Sequence, residues 1–266
     1  MRSWLICFME RVMQSKEKAK VWIHGKSGKM GQEISRLCQA SLWCENTGGS
    51  WDETSATDFA AGLNSSEVIL DFTSQEGNAT LLSQIKKSCF KNKKILIGST
   101  GLQKNQINDW KILTKELNLS ILVAPNTSLG ILLLLKSALA IAGICKEQGF
   151  DLEIEETHHR GKKDSPSGTA LFLGRQIASE MKANLATSRQ GPRQNHEIGI
   201  HATRAGGIYG EHKLRFISEE EELCFQHRAL SRKLFAKGAL VLAKWVASQP
   251  AGFFEVQDIP VKELLP

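Results

Sequence analysis

From Lys20 to Asn126 the chain alternates short apolar runs with amphipathic segments of helical length, a rhythm that few folds accommodate. KVWIHG, EVILDFT, KKILIGSTG and LSILVAPN read as strands, with KMGQEISRLCQA, ATLLSQIKKSCF and NQINDWKILTKEL as helices around and between them. Parallel neighbours need a crossover of about this length, so the region is expected to form a parallel α/β sheet. After Asn126 the pattern changes. LGILLLLKSALAIAGICKEQ is a long apolar helix, FDLEIEETHH alternates as a strand with one wet face, and HEIGIHATRAGGIYGEHKLRFI and EELCFQHRA read as antiparallel strands. This second half is α+β. The apolar helix KLFAKGALVLAKWVAS near the end is suited to packing back on the first sheet.

Composition narrows the class. With 266 residues the chain can build one large domain or two modest ones. The formal net charge is +6, spread along the chain instead of gathered in a block, which favours small anionic ligands over nucleic acid. Lys136 and Ser137 interrupt the longest apolar run, so no stretch reads as a membrane span. Cys7, Cys38, Cys44, Cys89, Cys145 and Cys224 show neither a paired spacing nor a metal-finger spacing; no metal site or disulfide framework is expected, and reduced thiols fit a cytoplasmic protein. Residues 1–18 read as an N-terminal extension.

HGKSGKMG lies between the first expected strand and the first expected helix. Gly25, Gly28 and Gly31 permit a tight turn and close backbone approach, and the helix N-terminus presents free N–H groups to a pyrophosphate. That placement points to a dinucleotide, NADH or NADPH. An acid at the end of the second strand usually holds the adenosine ribose. Within SLWCENTGGSWDET, Asp52 is the first choice and Glu45 the reserve, and no arginine stands beside either. Two further loops, Gly98-Ser99-Thr100-Gly101 and Ala124-Pro125-Asn126-Thr127, fall at carboxyl ends of strands, where ligands bind in such sheets.

THHRGKKDSPSGTA concentrates two histidines and three cations before a helix N-terminus. Unscreened, those cations repel one another, so the cluster implies an anionic ligand. Ser167, Gly168 and Thr169 open the helix and can grip a carboxylate, although Ser167 and Thr169 suit plain N-capping equally well. A histidine beside a lysine supplies a proton donor at neutral pH.

The run EIEETHHRGKKDSPSGTA closely resembles the signature of the dihydrodipicolinate reductase family, and GKSGKMG, VILDFT, IGSTG, APNTSLG and RAGGIYGEH agree along nearly the whole chain from Lys20. The resemblance implies a Rossmann-like dinucleotide-binding domain, residues 19–128 with 233–266, and an α+β domain, residues 129–232, with a mixed, largely antiparallel sheet. That second domain would bind a small dicarboxylate and build a homotetramer. The resemblance further implies His158 as proton donor or acceptor, Lys162 as the catalytic lysine, and His159, Gly168 and Thr169 as substrate-binding residues. Gly25, Lys26, Ser27, Gly28, Lys29 and Met30, with Gly98, Ser99, Thr100, Ala124, Pro125, Asn126 and Thr127, match the cofactor contacts. The implied reaction is NAD(P)H-dependent reduction of 4-hydroxy-tetrahydrodipicolinate in lysine and diaminopimelate biosynthesis. Another two-domain amino-acid dehydrogenase would share the glycine loop but not the His-His-Arg signature; a silent nucleotide sensor would have no need of His158 and Lys162.

Overall fold

The computed structural model describes residues 17–50 and 56–264. The first part of the chain runs β1 (Ala19–His24), α1 (Lys29–Gln39), β2 (Cys44–Ser50), α2 (Ala56–Ser65), β3 (Val68–Asp71), α3 (Gln75–Ser88), β4 (Lys94–Ile97), α4 (Lys104–Glu116) and β5 (Ser120–Val123). Then follow α5 (Leu129–Glu147), β6 (Asp151–His158), α6 (Gly168–Met181), β7 (Asn184–Ala186), β8 (Glu197–Arg204), β9 (Glu211–Ile217), β10 (Glu222–Arg228), α7 (Lys233–Ser248) and β11 (Gly252–Glu255). Two compact units result. One comprises the chain from β1 through Pro125 with Ala239–Glu255; the other comprises Asn126–Gly238 and the segment from Val256. The turns after β11 thus pack with the second unit, whereas the sequence assigned everything from 233 onward to the first.

The first unit is a six-stranded sheet in the order β11-β5-β4-β3-β1-β2, every pairing parallel. Its inner strands are apolar at consecutive positions because both faces are covered: Ile95, Leu96, Ile97, Ile121 and Leu122 are all fully buried. One core layer gathers Trp22, Phe59, Ile69, Leu81, Ile85, Trp110 and Leu113. Trp110, fully buried, satisfies its indole N–H with Asn78 Oδ1 at 3.0 Å. The chain leaves β1 for β2 on one side and for β3 on the other. The strand order thus reverses at β1, and in sheets of this kind ligands bind at the carboxyl ends of the strands flanking such a switch point.

The edge strand β2 is irregular. Its register against β1 slips between Val21 and Trp22, leaving Thr47 unpaired in a glycine-rich run. At the other edge, β11 adds parallel to β5 and Trp245 of α7 meets the Phe254 ring edge-on at 5.3 Å.

The second unit is a five-stranded sheet in the order β10-β9-β6-β8-β7. The pairings of β9 with β10 and β6 are antiparallel, and those of β8 with β6 and β7 are parallel. The sheet is therefore mixed as expected but evenly so, and β8 and β9 do not pair as a hairpin: β6 lies between them. Alternation along β6 points Leu152, Ile154 and Glu156 inward against α5 and α6 and leaves Glu153 and Glu155 on the other face.

Helix α5 is, by length and composition, apolar enough to cross a membrane, contrary to the sequence reading. Ile131, Leu135, Ala138, Ala142 and Cys145 nonetheless sit in the second unit's core, while Leu133 and Ile144 on its other face are exposed.

Candidate active site

Strand β1 ends at His24 and the chain turns at Gly25, whose φ of +85° suits glycine alone. A Cβ there would lie 2.9 Å from the Phe72 carbonyl oxygen, and one at Gly31 only 2.3 Å from the Gly25 oxygen. The backbone is packed on itself so that α1 begins directly beneath the loop. Gly28 holds the N-cap position without any side-chain cap, and the first turn of α1 carries no acid. Open N–H groups at a helix start, in a cradle that side chains would fill, fit a pyrophosphate. Ser27, Gly28 and Lys29 are exposed, with Lys26 and Met30 half-buried.

The loop is tied to β2. The N–H groups of Gly25 and Lys26 both donate to the Ser50 carbonyl, at 3.2 and 2.9 Å, and His24 Nδ1 pairs with the Ser50 hydroxyl. The stem of Lys26 lies over Gly49, where an added Cβ would meet it at 2.7 Å. One cation thus stands at the carboxyl end of β2, the end that Asp52 would extend; Asp52 itself lies outside the described residues. The reserve acid fails on position. Glu45 pairs with Lys20 at the amino end of both strands, five residues and about 16 Å from Ser50.

Asp71, which sequence reasoning passed over, organises the neighbouring loops. Fully buried at the end of β3, it accepts from Thr73 Oγ1 at 2.5 Å, Asn78 Nδ2 at 2.7 Å and Ser99 Oγ at 2.7 Å. Ser99 therefore spends its hydroxyl on the scaffold, whereas Thr100 is exposed. Gly98 has the Phe72 ring against its backbone, where a Cβ would come within 2.3 Å of the ring. Ala124 is buried and donates its N–H to the Ile97 carbonyl at 2.8 Å; Pro125 is exposed.

In the second unit the histidine-lysine loop leaves β6 at His158, which is only 8% exposed. Register sets its surroundings. His158 pairs with Arg204 of β8, and Glu156 pairs with His212 of β9, itself opposite His227 of β10. The fully buried Glu156 carboxylate receives His158 Nδ1 at 2.5 Å, Arg204 at 2.8 and 2.7 Å, and the Ser167 N–H at 2.9 Å. Burial pushes that carboxyl up, but the bonds from His158, Arg204 and Ser167 outweigh it and hold it at about 2. His212 meets the His158 ring edge-on at 5.2 Å, and burial drives it down to about 3, so it stays neutral.

The loop then folds over the start of α6. His159 donates its N–H to the Ile208 carbonyl at 2.7 Å and Arg160 to Gly206 at 3.2 Å. Lys162 Nζ sits 2.7 Å from Asp164 Oδ1, and the other Asp164 oxygen accepts the Gly168 N–H at 3.2 Å. Lys162 is half-buried and Lys163 exposed, as neighbours with opposed side chains should be. Ser167 is a plain N-cap: its hydroxyl accepts from the Ala170 N–H at 3.2 Å and faces inward near His212. Gly168 and Thr169 stay at the open helix end, and a Cβ on Gly168 would meet nothing. Thr169 Oγ1 accepts from Asn126 at 2.9 Å, while Thr127, buried, donates to the Phe235 carbonyl at 2.8 Å. Glu156, Arg204 and His212 were missed in the sequence; the only signal for them was their place inside the EIEE and RAGGIYGEH runs.

A parallel sheet with a glycine cradle at its switch point, and a second unit carrying a cationic loop and a buried histidine, define a nicotinamide-dinucleotide-dependent oxidoreductase. Residues 19–127 match the family described as Dihydrodipicolinate reductase, N-terminus, and residues 130–259 match Dihydrodipicolinate reductase, C-terminus. The chain belongs to this family. It is 40% identical over 197 residues to 4-hydroxy-tetrahydrodipicolinate reductase of Aquifex aeolicus, spanning 73% of this chain and 72% of the relative. With the Caulobacter vibrioides enzyme of the same name it shares 32% identity over 256 residues, 91% and 97% of the two chains. Its fold is similar to that of a dipicolinate-bound dihydrodipicolinate reductase from Paenisporosarcina sp. TG-14, with a TM-score of 0.75, 22% identity and coverage of 91% and 100%.

Proposed function

We propose that the chain reduces 4-hydroxy-tetrahydrodipicolinate, or its dehydrated form, to tetrahydrodipicolinate with NADH or NADPH, in the cytoplasm. The observation that carries this reading is the loop around α6. Lys162 and the Gly168 N–H both hold the Asp164 carboxylate, so the start of the helix is already arranged to receive a carboxylate. A substrate carboxylate would take the same donors, with His159 and Thr169 beside them.

The reduced nicotinamide supplies the hydride when bound. Loss of the 4-hydroxyl as water gives the dehydrated, conjugated ring; hydride addition then breaks one of its π bonds, and the displaced electron pair develops as negative charge on the ring. His158 and Lys162 supply the proton that completes the reduction, directly or through water. The cations that hold the dicarboxylate also stabilise that developing charge, so binding and catalysis share residues.

Both cofactors are expected to serve. Lys26 places one cation at the end of β2, suited to a 2′-phosphate, and Asp52 follows two residues after Ser50, suited to a free ribose hydroxyl. A homotetramer is the assembly the resemblance implies. The outer face of the second sheet suits such a contact, being an ordered array in which Glu153 meets Arg189, Arg193 and His201, and Arg215 joins Glu155 to Glu222.

Titration calorimetry with Gly28→Val tests the cofactor site. A Cβ at this position would touch only the Gly25 oxygen, at 3.3 Å, so the variant should fold. NADH and NADPH should bind at least about tenfold more weakly, ~1.4 kcal/mol, with pyridine-2,6-dicarboxylate unchanged. Equal weakening of all three would mean that the loop serves folding alone.

A further inference from the structure

We infer that Glu156 is the positioning residue of the proton-transfer step, fixing His158 with its hydrogen on Nδ1 so that Nε2 is left for the substrate. The inference rests on the reading of His158 as the proton-handling residue. Glu156 is 1% exposed and its two oxygens receive four donors: Oε1 takes Arg204 and the Ser167 N–H, and Oε2 takes Arg204 and His158 Nδ1. With a bidentate guanidinium on it the carboxylate is ionised and can only accept. Nδ1 must therefore donate in either charge state, so the proton that His158 exchanges sits on Nε2: the imidazolium gives it up there, and the neutral ring is left with Nε2 as an acceptor.

The rest of the pocket keeps the ring in that pose. His212 closes one side of the ring at 5.2 Å and 77°. At the Nε2 edge stands Gly210, where a Cβ would come within 3.0 Å of Nε2, so the absence of a side chain leaves that edge clear. Arg204 serves the arrangement indirectly: it also donates to the Asp164 carbonyl at 2.6 Å, joining the carboxylate that orients His158 to the loop that carries Lys162. A purely structural ion pair would account for Arg204 and Glu156 but would have no reason to hold Nδ1 of the one buried histidine that ends β6.

The test pairs kinetics with a direct view of the ring. In wild-type protein without ligands, ¹⁵N NMR should find His158 protonated on Nδ1 at a pH where it is neutral; in Glu156→Gln, whose amide can donate to Nδ1, the Nε2–H form should grow. The same variant should lose about 10²-fold in kcat, the scale of a misplaced general acid or base, while KM for the dicarboxylate and Kd for NADPH stay within about threefold. Glu156→Asp, which keeps the charge, should recover part of the loss. A Glu156→Gln enzyme with kcat within about threefold of wild type, or a His158 tautomer unaffected by the substitution, overturns the proposal. If Glu156→Gln does not fold, an Nε2–H tautomer in the wild type overturns it alone. Should wild-type protein not reduce the proposed substrate, the reading of function has failed, and the NMR result still reports whether Glu156 orients the ring.

Discussion

Lys162→Ala should lower kcat by at least about 10²-fold, and His158→Ala by a similar factor, while Lys163→Ala stays within about threefold of wild type. The two lysines are adjacent, yet their surroundings differ. Lys162 is half-buried and hydrogen-bonded to Asp164, whose other oxygen already caps the Gly168 N–H; Lys163 is exposed. A cation held at a helix N-terminus has only an incoming anion to satisfy it once Asp164 is displaced, whereas a solvated lysine contributes a screened charge. Steady-state kinetics on the three variants, with NADPH affinity as the control for folding, decides the matter. The reverse order for the two lysines would show that the loop register is misassigned.

The second large effect is on stability. Arg204→Leu should destabilise the protein by roughly 3–5 kcal/mol at pH 7, because it leaves the buried Glu156 carboxylate without its bidentate partner. The pH dependence follows from the direction of the Glu156 shift. Its carboxyl titrates near 4.5 when unfolded and at about 2 when folded. Its stabilising contribution is therefore fully present above about pH 4.5 and disappears as pH falls toward 2. The gap between wild type and variant should be widest at neutral pH and narrow below pH 4.5. Urea unfolding at pH 7 and pH 4 measures both. A gap that stays constant or widens on acidification would show that Arg204 acts through packing and not through Glu156.

Much of this architecture could be read from the chain because its signals are local. The glycines at 25, 28 and 31 lie within one turn, and the loop from His158 to Thr169 is a single continuous run, so sequence order and spatial order coincide there. Strand direction could not be read in the same way. Alternation in β9 indicates which residues face inward but is identical for parallel and antiparallel neighbours, and only the structure puts β6 between β8 and β9. The group formed by the buried Glu156 and His212 with the half-buried Arg204 and His227 was hidden for the same reason: four strands and the register between them bring it together. Strand β2 was obscured by its own irregularity, since Thr47, Gly48 and Gly49 break the period of two at the slip against β1. Glu45 lies before that slip, paired with Lys20 at the amino end of β2, so position in the strand and not residue type removes it as a ribose ligand.

The central claim is most directly tested by following NADH and NADPH oxidation at 340 nm with purified protein, the cyclic dicarboxylate being generated in place by the preceding condensing synthase. Oxidation should depend on the synthase product, proceed with both cofactors, and show a preference in kcat/KM of less than about a hundredfold, or ~2.7 kcal/mol. Cofactor oxidation that is absent, or that does not respond to the synthase product, would contradict the account.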